Sequence, residues 1–115
     1  MVVGDGDTAI AMGSGTVNVL ATPRLVALCE EASCRATNGA LPEGTTTVGM
    51  KVRLDHLQPS PVGARVEAEA LLQKVEGRRL TFTVSASDDR GLVAVGQVVR
   101  VVVDLEHFLG KCGTP

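Results

Sequence analysis

The sequence places two titratable side chains, His56 and Glu30, on faces that are otherwise apolar. His56 ends an alternating run and continues its apolar even positions, which are Val48, Met50, Val52 and Leu54. Alternation of this kind predicts a half-buried strand. Imidazole and carboxylate groups at the edge of a core are the groups that general acid–base chemistry uses. The two residues are therefore the first candidates for a catalytic site, although His56 could also be an ordinary strand-end histidine.

Glu30 belongs to a predicted helix with Thr22 as N-cap, Pro23 at the first helical position and a stop at Asn38-Gly39. On a helical wheel the polar residues form one narrow stripe: Arg24, Glu31, Arg35 and Asn38. Glu31 has an ion-pair partner four residues on in Arg35, whereas Glu30 lies outside the stripe, on the apolar side that a sheet should cover. An uncompensated carboxylate there costs several kcal/mol. Either Glu30 reaches solvent at a boundary, or it has a functional partner.

Beyond this helix the period changes from 3.6 to 2. Strand patterns follow in TTTVGMKVRLDHL, ARVEAEALLQKV, RLTFTVSAS and LVAVGQVVRVVVDL. The second should turn Val66, Ala68, Ala70 and Leu72 inward, and the third Leu80, Phe82, Val84 and Ala86. Short connections predict antiparallel pairing. Before the helix, a turn of helix at Asp7 to Met12 and a short strand in VNVL are expected. The whole is predicted to be one α+β domain over residues 1–115.

Composition excludes several classes of function. The net charge of -2 and the 2% of aromatic residues disfavour nucleic acid and an anionic membrane as partners. Cys29, Cys34 and Cys112 suit neither a closed disulfide framework nor a metal site, so we expect reduced thiols, no metal and no cofactor. Cys29 and Cys34 are expected to be small core residues. No leader or spanning segment is visible, which predicts a cytoplasmic protein.

The last strand carries one charged residue among valines, Arg100. This arginine could form a salt bridge with Asp104 or Glu106, or grip a carbonyl or phosphate of a ligand. The strand is apolar on both faces, and a chain of 115 residues has no second layer to cover the outer one. We therefore expect a homodimer or a dimer of dimers.

Three segments resemble the hotdog-fold thioesterases related to the fluoroacetyl-CoA thioesterase. They are VLATPRLVALCEEASCRA, then TTTVGMKVRLDHLQPSPVGARVEAEALLQKVEGRRLTFTVSASD, and finally GQVVRVVVDLEHF. The resemblance runs from about Val17 to Phe108, and EGRRL with the closing R-to-LE-x-F pattern is its most specific part. It implies a hotdog fold, in which a long helix is wrapped by an antiparallel sheet, and a dimer with active sites at the interface.

The resemblance also assigns roles to residues. The catalytic threonine, glutamate and histidine of the family correspond to Thr22, Glu30 and His56, while Gly49 and Arg100 correspond to substrate-binding residues. The implied activity is hydrolysis of acyl-CoA, in which coenzyme A is part of the substrate. Glu30 would attack the carbonyl or activate water, His56 would transfer protons, and the backbone of Gly49 would face the developing oxyanion.

The segment before the helix departs from the fluoroacetyl-selective enzyme. The resemblance implies an aromatic lid there, but DGDTAIAMGSGTVNVL contains no aromatic residue. We therefore expect an enzyme for short or medium acyl-CoA thioesters. A non-catalytic acyl-CoA-binding hotdog dimer is the alternative. A hotdog dehydratase is disfavoured, because its acid–base pair would lie on DHLQPSPVG and Glu30 would then have no catalytic role.

Overall fold

One long helix packed on one antiparallel sheet forms the body of the molecule. The structure, a computed structural model, describes residues 1–113. Its elements are α1 (Ala9–Met12), α2 (Thr22–Arg35), β1 (Thr45–His56), β2 (Glu67–Glu76), β3 (Arg79–Asp88), β4 (Gly91–Asp104) and α3 (Leu105–Gly110), preceded by a 3-10 turn at Asp5–Asp7. The α+β class predicted from the sequence is confirmed. None of the helices in residues 1–113 has the length and apolar content that crossing a bilayer requires.

The sheet has the order β1-β4-β3-β2, and every neighbouring pair is antiparallel. Tight turns join β2 to β3 and β3 to β4, as the patterns EGRR and DDRG predict. The connection from β1 to β2 is different, because these strands are the two edges of the sheet. Residues 57–66 therefore carry the chain from one edge to the other, past the first turn of α2.

The core lies between α2 and the sheet in two adjoining clusters. One surrounds the start of α2 and contains Val3, Leu20, Leu25, Leu28, Val66, Ala86, Val93 and Ala94. The other lies further along α2 and contains Cys29, Leu80, Phe82, Val84 and Val98. The predicted inward set of β3 is buried throughout. Odd-numbered valines of β4 project from the opposite face and are half-buried: Val95, Val99, Val101 and Val103.

A β-bulge corrects the predicted inward set of β1, and a second bulge interrupts β2. The register of β1 shifts between Gly49 and Lys51, and that of β2 shifts between Leu72 and Lys74. Met50, predicted to face the core, is consequently 48% exposed, and Val48, also predicted inward, faces the other way. Leu72 precedes the bulge of β2 and pairs with Phe82 on the predicted face, but it is 49% exposed. A bulge adds one residue to one strand, so the side chains beyond it change faces. On β1, odd positions face α2 before the bulge and even positions face it afterwards.

The ends of α2 also differ from the prediction. Thr22 is the first residue of the helix, the N-cap is Ala21, and no side chain caps the helix start. The helix ends at Arg35, before the expected Asn38-Gly39 stop, and Gly39 (φ 77°) lies in the following turn. The predicted strand VNVL is wrong, since this segment makes only isolated bridges from Val19 to Pro61 and from Leu20 to Thr8. The sequence also gave no sign of α3, whose start is capped by the Asp104 carboxylate.

Candidate active site

At the start of α2, the Thr22 hydroxyl lies 2.8 Å from Nδ1 of His56, the last residue of β1. Because Thr22 is not a helix cap, its hydroxyl is available for this bond. The other ring nitrogen of His56, Nε2, is buried and has no hydrogen-bond partner within residues 1–113. Either tautomer of the ring leaves Nε2 with one unused donor or acceptor function. Buried polar atoms in folded proteins are seldom left unpaired, so a purely structural role of His56 does not explain this nitrogen.

A cavity of about 360 Å³ opens beside the Thr22–His56 pair. One wall is the segment after β1, Leu57 to Pro59, and the other is the loop between α1 and α2. The residues from that loop and from α1 are Ala9, Ser14, Gly15, Val17, Val19 and Leu20. All are small or aliphatic, in agreement with the absence of an aromatic lid in the sequence. The cavity therefore combines a mostly apolar wall with the His56 imidazole, the Thr22 and Ser14 hydroxyls and the Gln58 amide.

The wall after β1 is held in place by polar contacts with the β3–β4 turn. Ser60 donates to Asp88 Oδ2 at 3.0 Å, and the Arg90 guanidinium donates to the Pro59 carbonyl at 2.7 Å. Asp88 also accepts from the backbone N–H of Arg90 at 2.9 Å. This backbone bond, with help from Ser60 and the Arg90 charge, holds the pKa of the Asp88 carboxyl below its ordinary value of 3.8. An ionised Asp88 thus fixes the loop that follows His56.

Further along α2, Glu30 forms an ion pair with Arg100 of β4, with Nη1 and Oε2 3.0 Å apart. The side chain of Arg100 is 9% exposed and that of Glu30 is 34% exposed. The alternative in which Arg100 forms a salt bridge with Asp104 or Glu106 is therefore not realised. Glu31 was expected to pair with Arg35, but its nearest cation is Arg24, at 3.9 Å. The two adjacent glutamates are distinct, as the helical wheel indicated.

Gly49 lies directly against the Glu30 carboxylate. A Cβ atom at this position would be 2.6 Å from Oε2 of Glu30 and 3.5 Å from Nη1 of Arg100. The missing side chain therefore provides the space that the carboxylate occupies. Thr47, two residues earlier on the same face of β1, contacts Arg100 through its hydroxyl and its carbonyl. The sequence analysis missed Thr47, although its i,i+2 relation to Gly49 was a usable signal.

The chain does not bring all the candidate residues together. Glu30 lies eight residues after Thr22, which is about 12 Å along the helix axis. Glu30, Gly49 and Arg100 form one group, and Thr22 and His56 form another nearer the start of α2. The sheet covers the side of α2 with Leu25, Leu28, Cys29 and Ala32. The side that carries Glu30 is left partly open: the Glu30 carboxylate reaches β1 and β4, but its side chain is 34% exposed, so the sheet covers this side only in part.

The open side of α2 is apolar apart from Glu30. Val26 and Ala27 are half-buried there, and Cys34 is exposed, so the expectation that Cys34 is a core residue is wrong. A second cavity, of about 480 Å³, is lined by Ala27, Glu30, Cys34 and Arg100, with the charged Glu31 and Arg35 at the border of this side. Cys29, in contrast, is fully buried, and burial raises the pKa of its thiol to about 11. Cys29 therefore stays a neutral thiol and is not a nucleophile.

Comparison with known proteins identifies the family. Residues 3–106 match the family model for the fluoroacetyl-CoA-specific thioesterase. Fluoroacetyl-CoA thioesterase from Streptantibioticus cattleyicolor is 38% identical over 93 residues, which are 81% of this chain and 67% of that protein.

Solved structures agree with this match. A variant of the fluoroacetyl-CoA thioesterase FlK in complex with acetyl-CoA is 32% identical, with a TM-score of 0.91 over 99% of this chain and 92% of that one. A hot-dog-like protein from Thermanaerovibrio acidaminovorans is 25% identical, with a TM-score of 0.87 over 100% of this chain and 87% of that one. The predicted hotdog fold is thereby confirmed. The chain belongs to the fluoroacetyl-CoA-specific thioesterase family, whose members are hotdog-fold enzymes that hydrolyse thioesters.

Proposed function

We propose that the protein hydrolyses short or medium acyl-CoA thioesters, with Thr22, Glu30 and His56 as catalytic residues. The observation that carries this proposal is the buried, unpaired Nε2 of His56 beside a largely apolar cavity. The Thr22 hydroxyl fixes the ring through Nδ1, so that Nε2 can exchange a proton with water or with the departing sulfur. The Glu30 carboxylate supplies the second group that thioester hydrolysis requires.

The reaction breaks the carbonyl–sulfur bond and adds one water molecule to give a carboxylic acid and the free thiol of coenzyme A. Glu30 acts in one of two ways. It attacks the carbonyl carbon and forms an anhydride that water then hydrolyses, or it removes a proton from the attacking water. In both routes His56 delivers a proton to the thiolate, and the backbone N–H groups around Gly49 face the carbonyl oxygen.

The size of the first cavity supports a substrate larger than acetyl-CoA. Pockets from about 300 Å³ upward accommodate drug-sized ligands, so the cavity of about 360 Å³ has room for several methylene groups. No aromatic ring of this chain narrows it, since Phe82 is in the core and Phe108 is in α3. Each buried methylene contributes about 0.8 kcal/mol, which corresponds to up to about fourfold in kcat/KM.

The test is hydrolysis of a series of acyl-CoA thioesters from acetyl to octanoyl. Loss of the thioester absorbance is a suitable signal, because it does not respond to the exposed thiols of Cys34 and Cys112. We expect kcat/KM to rise about tenfold from acetyl-CoA to butyryl-CoA and to stop rising when the cavity is filled. Binding of acyl-CoA without hydrolysis of any member would refute the proposal and favour a non-catalytic acyl-CoA-binding dimer.

The separation of the two groups supports a site shared between two copies of the chain. If two α2 helices pack antiparallel across a twofold axis near Val26, then Thr22 and His56 of each copy lie opposite Glu30 of the other. The open side of α2 is suited to this contact, because Val26, Ala27 and Cys34 are small or apolar. In this arrangement the partner would complete each site and cover this side of the helix.

Mixing two inactive variants tests the shared site. A dimer of one Glu30→Gln chain and one His56→Asn chain would contain one site with both changes and one with neither. Random mixing makes half of the dimers mixed, so about a quarter of the wild-type activity should return. If the mixture is no more active than its components while mass measurements show exchanged dimers, each site is built from a single chain.

A further inference from the structure

The guanidinium of Arg100 is held mainly by one residue, Thr47. Its Nε donates to the Thr47 hydroxyl at 2.9 Å, and its Nη2 donates to the Thr47 carbonyl at 3.0 Å. Thr47 and Arg100 are both 8% exposed. Because a guanidinium is planar, two bonds to one residue fix the direction of the remaining nitrogen, Nη1. This nitrogen donates to Oε2 of Glu30 at 3.0 Å.

The local form of β1 allows this arrangement. Thr47 and Gly49 precede the bulge and point toward α2, and Gly49 is directly paired with Arg100 across the strands. The Glu30 carboxylate thus lies between the bare backbone of Gly49 and Nη1 of Arg100. Within residues 1–113, Oε2 is the only oxygen of this carboxylate that accepts a hydrogen bond, so Oε1 is free for water or a carbonyl carbon.

We infer that Thr47 is a positioning residue for the thioesterase reaction and that Thr47 and Arg100 together form a clamp that orients the Glu30 carboxylate. This inference rests on the proposed function. Arg100 acts through Glu30, because each of its three guanidinium nitrogens already donates to Thr47 or Glu30 and its side chain is 9% exposed. Within residues 1–113, Thr47 makes no hydrogen bond to Glu30 and does not line the cavity at His56, so its effect on the reaction passes through Arg100.

Two substitutions at Thr47 distinguish the contribution of its hydroxyl group from the contribution of its packing. Thr47→Val replaces the hydroxyl by a methyl group of similar size, and Thr47→Ser keeps the hydroxyl. We expect Thr47→Val to lower kcat about tenfold to a hundredfold with KM changed less than about threefold, because small misplacements of a reacting group cost rates of this order. The Thr47 carbonyl still accepts from Arg100 in the variant, so the loss should be partial. Thr47→Ser should restore kcat to within about threefold of the wild type.

A substrate without phosphates distinguishes positioning from binding of coenzyme A. Each variant is assayed on a butyryl-CoA thioester and on the matching butyryl-pantetheine thioester. We expect the same loss of kcat on both substrates. A higher KM confined to butyryl-CoA, or unchanged kinetics in Thr47→Val, would overturn the clamp. Absence of hydrolysis by the wild type would instead refute the proposed function, and the clamp with it.

The control for correct folding is a comparison of the thermal midpoints and solution masses of the two variants with those of the wild type. If Thr47→Val does not fold, Thr47→Ala removes the same hydroxyl without placing a methyl group against the guanidinium. Full kcat in Thr47→Ala would then overturn the inference. A reduced kcat that Thr47→Ser does not share would support it.

Discussion

Two parts of α2 use different chemistry to hold candidate catalytic groups. They are called its neutral end, at Thr22, and its charged end, at Glu30. At the start, a neutral hydroxyl and an imidazole share one hydrogen bond beside a cavity, and Nε2 of the ring remains unpaired. Eight residues later, a carboxylate is paired with a buried guanidinium and packed against bare backbone. The first region is therefore suited to exchanging a proton with a ligand. The second is suited to holding a negative charge in one place.

The largest expected effect is at the charged end. Glu30→Gln should lower kcat/KM by about two to four powers of ten, because an amide neither attacks a thioester nor accepts a proton from water. The amide oxygen can still accept from Nη1 of Arg100, so the fold should be kept. Glu31→Gln is the matched control, since Glu31 is exposed and has only the distant contact with Arg24. Equal activity of the two variants in the acyl-CoA assay would contradict the carboxylate mechanism.

A smaller loss is expected at the neutral end. His56→Asn should fold and assemble as the wild type does but lose at least about a hundredfold in kcat/KM, or about 2.7 kcal/mol of transition-state stabilisation. The Asn amide can still bond to Thr22, but it cannot transfer a proton. Steady-state kinetics on butyryl-CoA check this. Wild-type turnover in the variant would make His56 a packing residue and remove the distinction between the two ends of α2.

The smallest effect concerns the loop that supports His56. Asp88→Asn should lower the thermal midpoint by a few degrees near pH 7, because the amide loses the charge that Arg90 binds. The pKa of Asp88 is lower in the folded chain than its ordinary 3.8, so its stabilisation is complete above that value. It disappears as the pH falls through the lower folded pKa. Thermal unfolding at several pH values should show the two proteins converging once the pH falls below the lowered pKa of Asp88. A constant difference down to that pH would exclude the carboxylate as the cause.

The sequence predicts the long helix and the strands of this fold better than it predicts the β-bulges that interrupt two of the strands. The start of α2 and the strands follow from a change of period, and the inward set of β3 is correct throughout. The bulge in β1 leaves the hydrophobic pattern almost unchanged, so Val48 and Met50 were placed on the wrong face. Alternation alone cannot show where a strand contains one extra residue.

The sequence identified the candidate residues of the site, but it did not show which residues they contact. The helical wheel separated Glu30 from Glu31, and strand alternation placed His56 on the covered side. The partner of Glu30 was beyond such reasoning, because Arg100 is seventy residues away in sequence. The hydrogen bond between Thr22 and His56 was also not predictable, because a threonine before a proline at a helix start is typical of an N-cap. Only the packing of β1 against α2 turns its hydroxyl to His56.

The bulge at Met50 makes the length of β1 a stricter requirement than its composition. Thr47 and Gly49 lie on one side of it and His56 on the other, and all three point toward α2 only because one extra residue separates them. The side chain of Met50 is half exposed, so a polar residue could replace it at little cost. Deleting Met50 would instead shift one half of the strand by one position relative to the other half. Either His56, or Thr47 and Gly49 beside Glu30, would then face solvent. A scan of single-residue deletions along β1 would therefore locate the boundary between the two groups more sharply than a scan of substitutions.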